Sequence, residues 1–387
     1  MRVLVVDRSP PTSETQGNSL IGRQIFPRLA RRHELVLVTA APAVIGVEDE
    51  RALRATFDDV YLVPVRKPVA ALRGFMEGIT GRGDAPAIAG ALRIASDSGP
   101  FDVAHVRQLP MAAYARHLPA GPRLLELIDA ETLQTRRLID PRRPRTRVRH
   151  ALARRVERLA TRPFGMVTTI AEADAAVIRK LAPHATVAVV PNGVDADWFR
   201  PLPIDEEPNL VVFHGAMSFA PNESAAAWMV DQVMPILRHA VPGVRLALAG
   251  RDPSARVAGL ADGSSVIVTG EVPDIRAWLA RASVVVCPMR SGSGMKNKVL
   301  EGLAMARPMV STSLGVEGLE VVAGRHLEVE DGPQAFAARV AELLADADRR
   351  RELGASGRAA VQERYTWDAC AARYDDLYHS LMNGSPS

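Results

Sequence analysis

Short runs of Val, Leu and Ile recur along this chain with helix-length segments between them, and that alternation predicts strands of parallel sheets joined by crossover helices. Seven runs fall in the first half: VLVV after Arg2, LVLVT from Leu35, VYLV from Val60, DVAHV from Asp102, RLLELI from Arg123, MVTTI from Met166 and VAVV from Val187. Around Trp198 to Asn209 the stretch WFRPLPIDEEPN carries prolines and acids without an apolar period, which reads as a linker. The pattern then restarts with NLVVFHG from Asn209, VRLALAG from Val244, SVIVTG from Ser265, SVVVCP from Ser283 and PMVST from Pro308. The expected fold class is therefore α/β, with two Rossmann-like parallel-sheet domains. Ligands of such sheets lie at the carboxyl ends of the strands, so two facing sheets would enclose a central cleft. From Asp331 onward the tail is helical in composition.

Composition narrows the class. Hydrophobic residues make up 47% of the 387 residues and charged residues 24%, as in soluble globular proteins. No apolar stretch reaches the ~18–20 residues that span a bilayer, and the start MRVLVVDRSPP does not read as a signal peptide. A cytoplasmic protein is expected. Cys287 and Cys370 are too few for a disulfide framework and read as packing residues. Net charge is only +4, yet arginines crowd between Arg136 and Arg162. One reading is a solvated helix with its approach loop; the other is a basic face for anionic lipid at the inner membrane or for an anionic acceptor. Nucleic acid is disfavoured, because aromatics are 5% of the chain and none is interleaved with these arginines.

The segment with most chemistry is CPMRSGSGMKNKVLEGLAMARPMVSTSLGVEGLE from Cys287. A strand is expected to end at Pro288, a Gly/Ser turn to follow from Ser291 through Ser293 to Gly294, and a helix to open near Lys296, Lys298 and Glu301. Unpaired backbone N–H groups and the positive end of a helix dipole attract phosphate there. Glycines let the backbone approach closely. Arg290, Lys296 and Lys298 add charge suited to a leaving diphosphate, and Glu301, three residues past Lys298, can accept from ribose hydroxyls. A nucleoside diphosphate is the implied ligand.

These residues sit among segments that resemble glycosyltransferase family 4: VVPNGVDADWF from Val189, FHGAMSFAPNESA from Phe213, LALAGRDP from Leu246, VTGEVPDI from Val268 and the RSGSGMKNKVLEGLAMARPMVST block. The resemblance is to the retaining, group 1 GT-B enzymes, particularly bacterial exopolysaccharide-type sugar transferases. It covers most of residues 160–325 specifically and the first half loosely, through the opening strand, the Gly17 loop and FDVAHVRQ. It implies transfer of a sugar from a UDP-, GDP- or dTDP-sugar to a hydroxyl acceptor, with Lys298 at the diphosphate, Glu301 on the ribose and Gly215 in the donor-binding FHGAM segment. It also implies a GT-B division: an acceptor-side domain over 1–200, a donor-side domain over 205–365, and a last helix over 366–387 that crosses back, matched by YTWDACAARYDDLY.

The sequence departs from the family pattern at named positions. The first glutamate of the family's Glu-x7-Glu pattern falls on Ser293, so turn amides would hold the sugar hydroxyls instead. Ala216 and Asn222 stand where many relatives carry Arg and Lys, which leaves Arg290 and Lys296 as replacements and Arg251 in reserve. Ile128 and Asp129 occupy the place of a first-half histidine. Asp129 becomes the candidate to orient or deprotonate the acceptor, against the alternative that DAET is a helix cap. His105 is the second candidate, against a satisfied core histidine. Gly17 and Arg23 lie in the loop expected to meet donor phosphate and acceptor. Asp195 and Asp197 spell a metal-binding Asp-x-Asp, but cations and a helix terminus would balance the leaving group, so neither metal nor cofactor is expected. The rivals are a nucleotide-sugar epimerase or hydrolase, a non-catalytic polyanion- or lipid-binding module, and a nicotinamide dehydrogenase, which lacks its Gly-x-Gly-x-x-Gly unit here.

Overall fold

The computed structural model describes residues 1–12, 17–42, 45–65, 71–81, 85–292 and 294–384. Its contacts divide the chain into one unit formed by Met1–Pro191 with Cys370–Ser387, and another formed by Asn192–Ala369. In the first unit the strands are β1 (Arg2–Asp7), β2 (Glu34–Ala41), β3 (Asp59–Pro64), β4 (Val103–Arg107), β5 (Arg123–Glu126), β6 (Met166–Thr169) and β7 (Thr186–Val189). They pair in parallel in the order β3-β2-β1-β4-β5-β6-β7. The second unit has β8 (Leu210–His214), β9 (Arg245–Ala249), β10 (Val266–Gly270), β11 (Val284–Cys287), β12 (Met309–Ser311) and β13 (Glu328–Val329) in the order β10-β9-β8-β11-β12-β13. Each sheet grows outward in both directions from its first strand, the doubly wound Rossmann arrangement.

Each expected apolar run forms a strand. Leu4 to Val6 and Leu35 to Leu37 are fully buried, as are β8 and β11, because helices cover both faces of a parallel sheet. β13 was not expected; two residues joined to β12 through Val310 and Glu328 carry no periodic signal. The acid-rich stretch after Trp198 belongs to the second unit. Glu207 takes Arg281 Nε at 2.6 Å and Arg245 at 2.8 Å, and Glu206 takes Arg350 at 2.7 Å.

Cys287 and Cys370 are free, buried thiols. Among the described residues, no helix is long and apolar enough to cross a membrane.

Among the described residues, the most deeply buried carboxyl outside both sheets is Glu157. Glu157, on the helix Pro144–Thr161, is fully buried and accepts the Thr132 N–H at 3.1 Å, while its Oε1 has no hydrogen-bond partner among the described residues. Burial pushes its pKa up to about 7. A folded pKa above the unfolded value stabilises the protein fully below the unfolded pKa, and that contribution is lost as pH rises through the folded one. The displacement from 4.5 to about 7 corresponds to about 3 kcal/mol. Glu157→Gln is thus expected to exceed the native protein in stability at pH 8, with the gap closing toward pH 4. Urea midpoints measured across pH check this; parallel curves would refute it.

Candidate functional site

In the second unit the strand order reverses between β8 and β11, and the carboxyl ends of these two strands bring together Gly215, Lys298 and Glu301. β8 ends at His214, and Gly215 follows with φ +147°, a conformation open to glycine. Gly250, at the end of β9, has φ +146°, and a Cβ there would fall on the Gly215 carbonyl. The two glycines let the neighbouring strand ends close on each other. After β11 the chain runs through the turn to the helix Asn297–Ala304, whose N-cap residue is Lys296.

Lys298 lies in the first turn of that helix. Its ammonium donates to Asn222 Oδ1 at 2.6 Å, sits 4.5 Å from the Phe213 ring centroid, and would lie 3.0 Å from any Cβ at position 215. Asn222 is itself fixed, its Nδ2 donating to the Ala216 carbonyl at 2.8 Å. Ala216 and Asn222, two of the positions that depart from the family pattern, thus aim the lysine through a neutral amide. Burial lowers the Lys298 pKa, and the nearby Glu301 carboxylate acts against that. A poorly solvated ammonium held by a neutral acceptor attracts an anion strongly.

Glu301, one helical turn on, accepts from His214 Nε2 at 2.8 Å through Oε2. His214 carried no sequence assignment. Its side chain is nearly buried, and its only signal was a histidine at the carboxyl end of the second unit's first strand. With one oxygen held, Glu301 keeps a partly exposed carboxylate in a fixed orientation. Asn192, in the PNGVD segment, also reaches this helix. Its Nδ2 donates to Asn297 Oδ1 at 3.3 Å and its N–H approaches Met295 Sδ at 3.4 Å.

The remaining candidates fall at varied places. Lys296 is buried and its ammonium turns back onto the Gly294 carbonyl, while Gly294 takes φ +72°. Arg290 is exposed; it donates to the Asp331 carbonyl at 2.8 Å and its guanidinium lies 5.1 Å from the Trp228 ring centroid. Its bond to the Asp331 carbonyl draws it toward the loop after β13. Arg251 is exposed beyond β9, with its carbonyl accepting the Met217 N–H at 2.9 Å and its Nε 4.0 Å from Asp252. Ser293 lies outside the described residues. Asp195 accepts the N–H groups of Asp197 and Trp198 at 3.1 and 2.8 Å, so it closes its own turn.

The first unit has its own reversal point between β1 and β4, filled by charge. Arg107, at the end of β4, is 1% exposed and forms ion pairs with Asp7 at the end of β1 and Glu126 at the end of β5. Its Nε and Nη2 each donate to Glu126 at 2.9 Å. Burial alone would lower the Arg107 pKa, but the two carboxylates outweigh it and hold it above its ordinary value. For Glu126, burial works upward, yet Arg107 and His105 hold it well below the carboxylate range. In Asp7 burial wins and the pKa is raised. Helix Gly17–Leu29 passes so close that a Cβ on Gly22 would lie 2.6 Å from Arg107 Nη1.

This network corrects the expectation for His105. It is fully buried, with Nδ1 2.6 Å from the Tyr378 hydroxyl and Nε2 3.0 Å from Glu126 Oε2, so neither nitrogen is presented to an acceptor. Asp129 is half-buried and follows Ile128, whose φ of +44° is strained for a β-branched residue. Asp129 stands one residue before the N-cap position. The N-cap of the helix Glu131–Arg137 is Ala130, whose N–H is taken by Asp174 at 2.8 Å. Gly17 opens the helix Gly17–Leu29, and Arg23 on it donates to the Thr12 carbonyl at 3.1 Å; residues 13–16 of the same loop lie outside the described residues.

Residues 208–346 match the family model described as glycosyl transferases group 1. A GDP-mannose-dependent alpha-(1-6)-phosphatidylinositol monomannoside mannosyltransferase of Mycobacterium tuberculosis is 30% identical over 223 residues, 50% of this chain and 56% of that protein. A D-inositol 3-phosphate glycosyltransferase of Thermobispora bispora is 28% identical over 242 residues, 56% of each chain. The matched stretch thus spans little more than half the length of these relatives. Among solved structures, a sucrose-phosphate synthase of Thermosynechococcus elongatus superposes over 100% of both chains with TM-score 0.72 at 14% identity. HepE of Anabaena, solved with UDP, covers 98% of this chain and 100% of its own with TM-score 0.69, also at 14% identity. Residues 208–346 are thus similar to the group 1 glycosyl transferases, and the two parallel-sheet units have the GT-B fold.

Proposed function

We propose that this protein is a retaining glycosyltransferase that binds a nucleoside-diphosphate sugar at the β8–β11 reversal point and passes the sugar to a hydroxyl acceptor, polysaccharide, lipid-linked or secondary-metabolite. The observation that carries this reading is the pairing of Lys298 and Glu301 on one helix face, the ammonium aimed by Asn222 and the carboxylate by His214. Lys298 meets the diphosphate, with the amides of the preceding turn adding dipoles of the same sign. Glu301 accepts from the ribose hydroxyls. The similar mannosyltransferase of Mycobacterium tuberculosis is GDP-mannose-dependent, and HepE was solved with UDP. Both fit a nucleotide at this site.

The proposed reaction breaks the bond between the anomeric carbon and the diphosphate oxygen and forms a new carbon–oxygen bond to the acceptor on the same face. The acceptor's proton goes to the departing diphosphate, and Asp129 orients the hydroxyl. A fixed lysine and turn amides supply the stabilising charge, so no metal is part of the proposal.

A thermal-shift series with UDP, GDP, dTDP and their sugars, run with EDTA present, tests the reading. One nucleotide is expected to raise the midpoint, and a hundredfold excess over Kd corresponds to about 2.7 kcal/mol. Glu301→Gln is expected to weaken that nucleotide about tenfold while leaving the corresponding ribose-free diphosphate unaffected. No stabilisation by any of the three would overturn the assignment.

A further inference from the structure

The helix Pro144–Thr161 in the first unit has two faces of different character. Ala153, Val156 and Ala160 are buried, with Glu157 between them, whereas three apolar side chains point outward: Val148 is 68% exposed, Leu152 42% and Leu159 37%. At 100° per residue these three fall within about 40° of one another, so they form one stripe along the helix rather than scattered exposures. Arg145 and Arg149 flank it on one side and Arg155, Arg158 and Arg147 on the other, all exposed. None of these five forms an ion pair among the described residues. The helix carries a single acid, Glu157, and that one faces inward.

A solvated helix has no use for an apolar stripe, and a site for a purely ionic partner needs none. An apolar line bordered by arginines on both sides, without an outward acid, is the pattern of a helix lying in a membrane interface. The apolar side chains enter the acyl boundary and the arginine stems reach back to the headgroups. The unbalanced positive charge selects an anionic surface.

We infer that the exposed face of the helix Pro144–Thr161, through Val148, Leu152, Leu159 and the arginines beside them, is a docking surface for an anionic phospholipid bilayer. This surface lies wholly within the first unit and does not rest on the donor-site reading.

Cosedimentation of the full chain with vesicles of phosphatidylcholine alone, and of phosphatidylcholine mixed with phosphatidylglycerol, tests it at low and high salt. Binding is expected to the mixed vesicles, to weaken with salt, and to be near background on phosphatidylcholine. The triple variant Val148→Ser, Leu152→Ser, Leu159→Ser is expected to lower the partition about tenfold or more. These sites are exposed, so its unfolding midpoint should stay at the native value. A double variant, Arg149→Glu with Arg155→Glu, is expected to lose binding and most of the salt dependence. Two results would overturn the inference. One is no preference of the native protein for the mixed vesicles. The other is native-level binding by the serine variant while the glutamate variant fails, which would make the face a polyanion site.

Discussion

Replacing Lys298 by alanine is expected to weaken nucleoside-diphosphate binding about tenfold to a hundredfold, the range of a lost charge-assisted hydrogen bond in a poorly solvated setting. The fold should hardly notice. Asn222 keeps its bond to the Ala216 carbonyl, and removal of the lysine relieves a desolvation cost that lowers its pKa. Arginine is expected not to rescue, because the ammonium already fits closely against Gly215, where a Cβ would come within 3.0 Å. Isothermal titration on the alanine and arginine variants, with unfolding midpoints alongside, checks both statements. Unchanged affinity in the alanine protein would remove the charge argument for the donor site.

The largest effect on stability is expected at Arg107. Arg107→Met removes the cation that lies between Asp7 and Glu126, both at most 2% exposed, and leaves two carboxylates buried together. Breaking such a buried pair from one side costs about 3–5 kcal/mol. The loss should be greatest near neutrality and shrink in acid, where the orphaned carboxyls take up protons. Amide exchange would locate the damage at β1, β4 and β5. A native midpoint with intact protection of those strands would show that the network contributes nothing.

The sheets were readable because a parallel strand covered on both faces must be apolar throughout, and VLVV, LVVFH and VVVC are. The placement of Lys298 and Glu301 on one helix was readable for a related reason, since they lie three residues apart and their spacing survives folding. What the sequence hid are partners assembled across the chain. Arg107 meets Asp7 from 100 residues away, and His214 meets Glu301 from 87. In the DAET segment the Ala130 N–H is taken by Asp174, 44 residues on. The run after Trp198 read as a linker because its prolines and acids follow no apolar period, whereas Arg245, Arg281 and Arg350 hold its glutamates in place.

The first unit is not contiguous. Its closing segment, Cys370–Ser387, supplies the Tyr378 hydroxyl to His105 and the Asp375 carboxylate to His33 at 2.8 Å and Arg32 at 2.6 Å. During synthesis the amino-terminal sheet therefore leaves the ribosome before its last packing partner exists, while the carboxyl-proximal sheet is encoded without interruption. Domains made early in translation usually fold early. Here the order of completion inverts: Asn192–Ala369 can finish first, and the unit begun earlier in the chain settles only after the segment from Cys370 onward has emerged.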